Sequence, residues 1–196
     1  MTMTTRTKLK EAALRLFGQK GYDGTALSEI AKEVGVKTPA IYAFFESKED
    51  LFMTVFEESM SAYNEYIQAM AETSKGMNTE KKLHALLLRQ YDFHRNKTEL
   101  AVFAFRYLIF PPDFLLERMQ EAFGRFDTLL SSIIGEIMQE GLDRGDLAAV
   151  PMETLVDSFL TLMDGLGMQY YYYKSPELFE RKLKHAFEMF WRSVAA

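Results

Sequence analysis

The chain has 196 residues, 48% of them hydrophobic and 26% charged, with no cysteine and a formal net charge of −5. This is the composition of a folded chain with an ordinary core. The missing thiols exclude disulfides and thiolate metal sites, and a reducing cytoplasm is the compartment they point to. No apolar run reaches the roughly 18 residues that span a bilayer. Arg6, Lys8 and Lys10 lead into no apolar stretch, so neither a signal peptide nor a membrane partner is expected.

The charge is unevenly spread. Residues 1–48 carry eight basic side chains (Arg6, Lys8, Lys10, Arg15, Lys20, Lys32, Lys37, Lys48) against five acidic ones, a surplus of +3. The remainder therefore carries −8. A basic head on an acidic body suits a protein that touches phosphate with one end only.

The apolar residues recur at three and four, so the expected fold is all-α with about nine helices. Leu9, Ala13, Leu16 and Phe17 mark a first helix, stopped by Gly21. Thr25 is the expected N-cap of a second, with Leu27, Ile30, Ala31 and Val34 inward and Gly35 at its end. Thr38-Pro39 opens a third, with a hydroxyl cap and a proline where the missing N–H costs nothing. Ser47-Lys48-Glu49-Asp50 opens a long fourth helix to about Thr73. A fifth starts at Asn78 or Thr79, and a sixth runs from Thr98 to Leu108 before Pro111-Pro112. The seventh reaches Gly141 with a break expected near Gln120, the eighth runs from Pro151 to Tyr173, and Ser175-Pro176 opens the ninth, to Val194.

The second and third helices meet the demands of a helix-turn-helix. A small residue belongs where they touch, and Ala31 is there. Four positions on, the turn needs positive φ, and Gly35 is there. Six further on, Ile41 plugs the angle between the helices. The stretch from Gly21 to Leu51, with Gly21-Tyr22, Thr25, Ile30-Ala31, Gly35-Val36, Ile41-Tyr42, Phe45, Ser47-Lys48 and Leu51, resembles the DNA-binding domain of the TetR family of repressors. The resemblance implies an N-terminal three-helix DNA-binding domain over 1–48 and a helical ligand-binding and dimerisation domain over 49–196. It also implies a homodimer on palindromic double-stranded operator DNA, released by a small-molecule inducer.

Candidate DNA contacts follow. Ile41 and Phe45 form the buried face of the third helix, which leaves Thr38, Pro39, Ala40, Tyr42, Ala43 and Phe44 outward. Tyr42 matches the family tyrosine that contacts the DNA backbone. Lys48, in the first turn of the fourth helix, opposes the helix dipole unless an anion such as phosphate compensates. Thr25 is a similar phosphate candidate or simply a cap. Phe44 stands where the family often has histidine. The tip can touch thymine methyls but makes no bidentate base contact, and Lys37 is left as the one guanine reader or a further phosphate contact.

The body mixes large apolar side chains with a few polar ones, which is how small-molecule sites are built. Tyr91, His94, Phe103, Arg106, Tyr107, Phe126, Phe159, Met163 and Tyr170 are the candidate pocket residues for a lipophilic or aromatic inducer. Gly165 and Met168 of the eighth helix, with Phe187, Phe190 and Trp191 of the ninth, are the candidate dimer interface. His84, His94 and His185 show no metal-ligand spacing, and no phosphate loop or nucleophile elbow is present, so no cofactor, metal or catalytic residue is expected. The competing reading is a helical small-molecule-binding or interaction protein without specific DNA binding; a salt-dependent operator shift separates the two.

Overall fold

The computed structural model describes residues 3–74, 76–173 and 175–196, with the side chains of 70–72 left aside. Among these the chain forms eight α-helices and two short 3-10 segments, with no strand beyond an isolated bridge. The helices are α1 (Thr5–Lys20), α2 (Leu27–Val34), α3 (Lys48–Thr73), α4 (Thr79–Asn96), α5 (Thr98–Ile109), α6 (Leu116–Arg144), α7 (Met152–Tyr173) and α8 (Pro176–Val194). The 3-10 segments are Thr38–Ala43 and Asp113–Leu115. The all-helical expectation therefore holds. One departure is α6, which runs without interruption past Gln120.

Packing gathers the chain into two compact units that interleave along the sequence. Residues 1–62 join 97–124, and 63–96 join 125–196. In the first unit α1 packs against α2 and α5. Its centre is the Phe52 ring, which meets Phe17, Tyr22 and Tyr107 edge-on at 5.2, 5.2 and 4.7 Å and Phe103 at 5.7 Å. Edge-to-face geometry sets positive ring edges against negative ring faces, worth about 0.5–1.5 kcal/mol per pair beyond burial.

In the second unit α7 lies against both α8 and α4. Leu83, Leu86, Phe93, Ile134, Met138, Phe159, Met163, Phe179 and Leu183 fill its interior. Asp146 accepts from the Thr79 hydroxyl at 2.8 Å and lies 3.3 Å from the Arg144 guanidinium. That ties the 141–150 turn to the start of α4, and it holds the Asp146 carboxyl below the usual range. The chain end is pinned to the same turn by the Ala148 N–H to the Val194 carbonyl at 2.8 Å.

Candidate nucleic-acid interface

α2 stops because Gly35 takes the left-handed conformation, φ +77, ψ 28. The Gly35 and Val36 N–H groups then donate back to the Lys32 and Ala31 carbonyls at 3.1 and 2.9 Å. The chain reverses into Thr38–Ala43, where i→i+3 bonds prevail: Ala40 N–H to the Lys37 carbonyl and Phe44 N–H to the Ile41 carbonyl, both 2.9 Å. The expected third α-helix is thus a 3-10 turn, with Lys37 as its N-cap residue and no side-chain cap. Pro39 disfavours α conformation in the residue before it and brings no N–H, and six residues are too few for the rest to compensate.

Ile41 is fully buried and Phe45 nearly so, which turns the other side of this segment outward. Lys37, Pro39, Tyr42, Ala43 and Phe44 are exposed, Tyr42 at 58% and Phe44 at 41%, while Thr38 and Ala40 are partly covered. The segment therefore offers a mostly apolar tip with donors only at Lys37, Thr38 and Tyr42.

α3 begins with a reciprocal cap. The Ser47 hydroxyl accepts from the Asp50 N–H at 3.0 Å, and the Asp50 carboxylate accepts from the Glu46 N–H at 2.9 Å. Lys48 stands in that first turn with its Nζ 4.2 Å from the centre of the Tyr22 ring. Partial burial pulls its ammonium below the usual lysine range, and Asp23 opposes this. The face of an aromatic ring attracts a cation but neutralises nothing. An approaching phosphate would find the charge held in place together with the unpaired N–H groups of the helix end.

Thr25 is a correction to the expected site. Its side chain is 0% exposed, and its hydroxyl donates to the Gly21 carbonyl at 2.8 Å. It closes the α1–α2 turn, and Ala26 takes the N-cap position of α2. The fold also sorts the basic residues in a way the sequence does not. Lys10, Arg15 and Lys20 are bound to Glu58, Glu33 and Glu29. Arg6, Lys8, Lys32 and Lys37 are exposed and, among the described residues, pair with no carboxylate. Arg6 lies 5.2 Å over the Phe45 ring, beside the end of the 3-10 segment. Sequence spacing misses Arg6, because only the packing of α1 brings it there.

The nine candidate effector residues separate. Phe103, Arg106 and Tyr107 belong to the first unit, and their polar atoms are already engaged on α1: the Arg106 guanidinium donates to the Gly18 carbonyl and the Tyr107 hydroxyl to the Phe17 carbonyl. The second unit brings Tyr91, His94 and Tyr170 together. Tyr170 stacks on His94 at 5.6 Å and meets Tyr91 edge-on at 5.7 Å. His94 Nδ1 shares a 2.8 Å hydrogen bond with the Tyr171 hydroxyl, and burial pulls the imidazole down to about 4. Phe126 meets Tyr63 at 5.4 Å, Phe159 meets Phe190 at 5.3 Å, and Met163 is buried.

Of the dimer candidates, Met168 is 53% exposed and Gly165 has open space beside it. Phe190 and Trp191 are half-buried. Phe187 is a second correction: it is buried within its own subunit, against the His84 ring at 4.8 Å. Its stripe on α8 is wide enough to serve both an inner and an outer face.

Residues 9–55 match the profile of the tetR family of bacterial regulatory proteins. The AcrR transcriptional regulator of Shigella flexneri is 48% identical over 61 residues, 31% of this chain and 28% of that protein. A fatty acid metabolism regulator protein of Bacillus subtilis is 33% identical over 81 residues, 41% of this chain and 40% of that one. The matched stretch spans about half the length, or less, of the three curated relatives that match most strongly. The fold extends further. The crystal structure of the transcriptional regulator FadR from Bacillus subtilis, in complex with stearoyl-CoA, superposes with a TM-score of 0.77 at 17% identity, covering 94% of this chain and 96% of that one. Residues 9–55 therefore carry a helix-turn-helix segment of the tetR family, and the whole chain shares the all-helical fold of that FadR structure.

Proposed function

We propose that the protein is a homodimeric repressor that binds a palindromic operator and leaves it when a small lipophilic molecule occupies the helical body. The observation that carries DNA binding is the exposed Lys37–Phe44 surface, held outward by buried Ile41 and Phe45, with Lys48 fixed at a helix N-terminus nearby in sequence. Lys48 and Arg6 are the phosphate contacts, Tyr42 touches the backbone, and Ala40, Ala43 and Phe44 meet thymine methyls. The effector region is the aromatic interior of the second unit around Tyr91, His94 and Tyr170, where apolar walls carry a few polar groups. Long-chain acyl-CoA is the first effector class to try, because the FadR neighbour holds stearoyl-CoA.

The test is selection of bound duplexes from random DNA, followed by shift assays of the winner across salt concentrations and with candidate effectors. A palindromic consensus whose binding weakens steeply with salt supports the reading. Failure to enrich any sequence overturns DNA recognition and leaves the helical binding protein. An operator complex untouched by every lipophilic compound, acyl-CoA included, overturns ligand release.

A further inference from the structure

The C-terminal end of an α-helix leaves carbonyls without helical partners and carries partial negative charge. α1 answers this only in part from its own sequence, through the Gly21 N–H to the Phe17 carbonyl at 3.0 Å. Two further donors come from α5, 88 to 90 positions further along the chain. The Tyr107 hydroxyl donates to the Phe17 carbonyl at 3.0 Å, and the Arg106 guanidinium donates to the Gly18 carbonyl at 3.2 Å. Arg106 thereby sets a full positive charge against the negative end of α1. It lies so near the backbone that a Cβ on Gly21 would stand 2.8 Å from its Nη2. Burial pushes the Tyr107 hydroxyl up to about 12, so it remains a donor throughout the physiological range.

The segment after α5 takes a second grip. Pro111-Pro112 halts the helix, and Phe114 returns its ring to Tyr22, edge-on at 5.1 Å. Tyr22 is the ring that carries Lys48. Between the two grips lies an open cleft of about 350 Å³, bordered by Gly21, Tyr22, Asp23, Phe110, Pro111 and Asp113 among others. It leaves open space beside the segment.

We propose that α5 is the C-cap of α1, supplied from a distant part of the same chain, and that Arg106, Tyr107 and Phe114 are positioning residues for DNA binding. None of them touches DNA. They hold the α1–α2 turn and, through Tyr22, the Lys48 ammonium. Withdrawal of α5 by about the length of a hydrogen bond frees the end of α1 and lets Lys48 leave its place. The consequence for DNA rests on the operator-binding reading; the cap itself does not.

The experiment uses the full chain with Tyr107→Phe, Arg106→Ala, Arg106→Lys and Phe114→Ala. Amide hydrogen exchange at Gly21 and Thr25, measured without DNA, is expected to quicken roughly tenfold in Tyr107→Phe and Arg106→Ala, the usual scale for losing one buried hydrogen bond. Arg106→Lys, which keeps a donor and a charge, restores most of the protection. With the selected duplex, Arg106→Ala weakens binding roughly tenfold while the salt slope stays unchanged, because no phosphate contact is lost. Removing Lys48 costs less in the Phe114→Ala background than in the wild type, the non-additivity of coupled residues. Unchanged exchange overturns the cap. Unchanged operator affinity in folded Arg106→Ala, or strict additivity of Phe114 and Lys48, overturns the positioning role. A slope flattened by one unit in Arg106→Ala makes Arg106 itself a phosphate contact and overturns it too. If no duplex is ever selected, it is DNA recognition that has failed, and the exchange arm still decides the cap.

Discussion

Lys48 occupies a place a cation normally avoids, the first turn of a helix whose N-terminus is already positive. That oddity is readable in the sequence, and the fold sharpens it: the ammonium rests on Tyr22, partly desolvated, with its proton held less firmly than in water. Lys48→Ala is expected to weaken all duplexes alike and to reduce the salt slope by about one unit. Normal affinity with an unchanged slope in filter-binding titrations would remove Lys48 from the interface. Arg6 was not legible in the same way, since its partner Phe45 is 39 positions distant and only tertiary packing joins them. Thr25 misled for a related reason. A hydroxyl before a helix reads as a cap, but the Gly21 carbonyl one turn back claims it first. His94 makes a pH-dependent contribution of calculable sign. Its imidazole is pulled from the ordinary 6.5 down to about 4 by burial, so the folded chain resists a proton that the unfolded chain accepts. Above pH 6.5 both states are neutral and nothing is lost. Between pH 6.5 and 4 stability falls by up to about 1.4 kcal/mol per pH unit from this group. In urea titrations the His94→Gln variant is expected to lose less stability than the wild type over that window, and parallel profiles would contradict the burial.

Helix ends were the elements most open to reading. Gly21, Gly35, Ser47 and Ser175 sit at the ends or caps where their chemistry places them, because caps are local. The 3-10 form of Thr38–Ala43 was not legible, since an amphipathic pattern of six residues does not distinguish i→i+3 from i→i+4 bonding. Nor was the fate of Phe187. Helical spacing shows that a stripe is apolar but not whether it faces its own subunit, and here His84 on α4 takes it. Gly35 allows the clearest test at this scale. Its φ of +77 is costly for any L side chain, yet a Cβ there would meet nothing within 4 Å. Gly35→Ala is therefore expected to destabilise by about 1–2 kcal/mol through backbone conformation alone, with the denaturant m-value unchanged. A variant as stable as the wild type would mean that the turn does not depend on the left-handed conformation.

On the scale of the whole molecule, the outward side of α7 is what an isolated chain would least be expected to keep. Gly165, Met168 and Tyr172 recur at helical spacing along it, with Met168 53% and Tyr172 79% exposed, while Met189 of α8 is 65% exposed. A soluble chain tolerates single exposed apolar residues, but a stripe of them beside a glycine marks a place for close helix approach. Trp191, one of the five expected interface residues, is half-buried within its own chain, so a charge there would disturb the fold as well as any interface. Met168→Glu separates the two. Its side chain is already in water, so the subunit loses little, whereas a carboxylate in an apolar seam between subunits is left buried without a partner. Light scattering at micromolar concentration is expected to find the wild type dimeric and Met168→Glu monomeric with the same helical content by circular dichroism. The consequence for DNA follows from geometry. Two heads joined by a dimer seam place the second half-site contact at millimolar effective concentration, and half-sites about 34–36 Å apart match one turn of the duplex. The monomeric variant is therefore expected to lose about a hundredfold or more in affinity for the full palindrome while binding an isolated half-site as the wild type does. A Met168→Glu protein that stays dimeric, or that binds the palindrome at full strength as a monomer, would place the subunit contact elsewhere on the molecule.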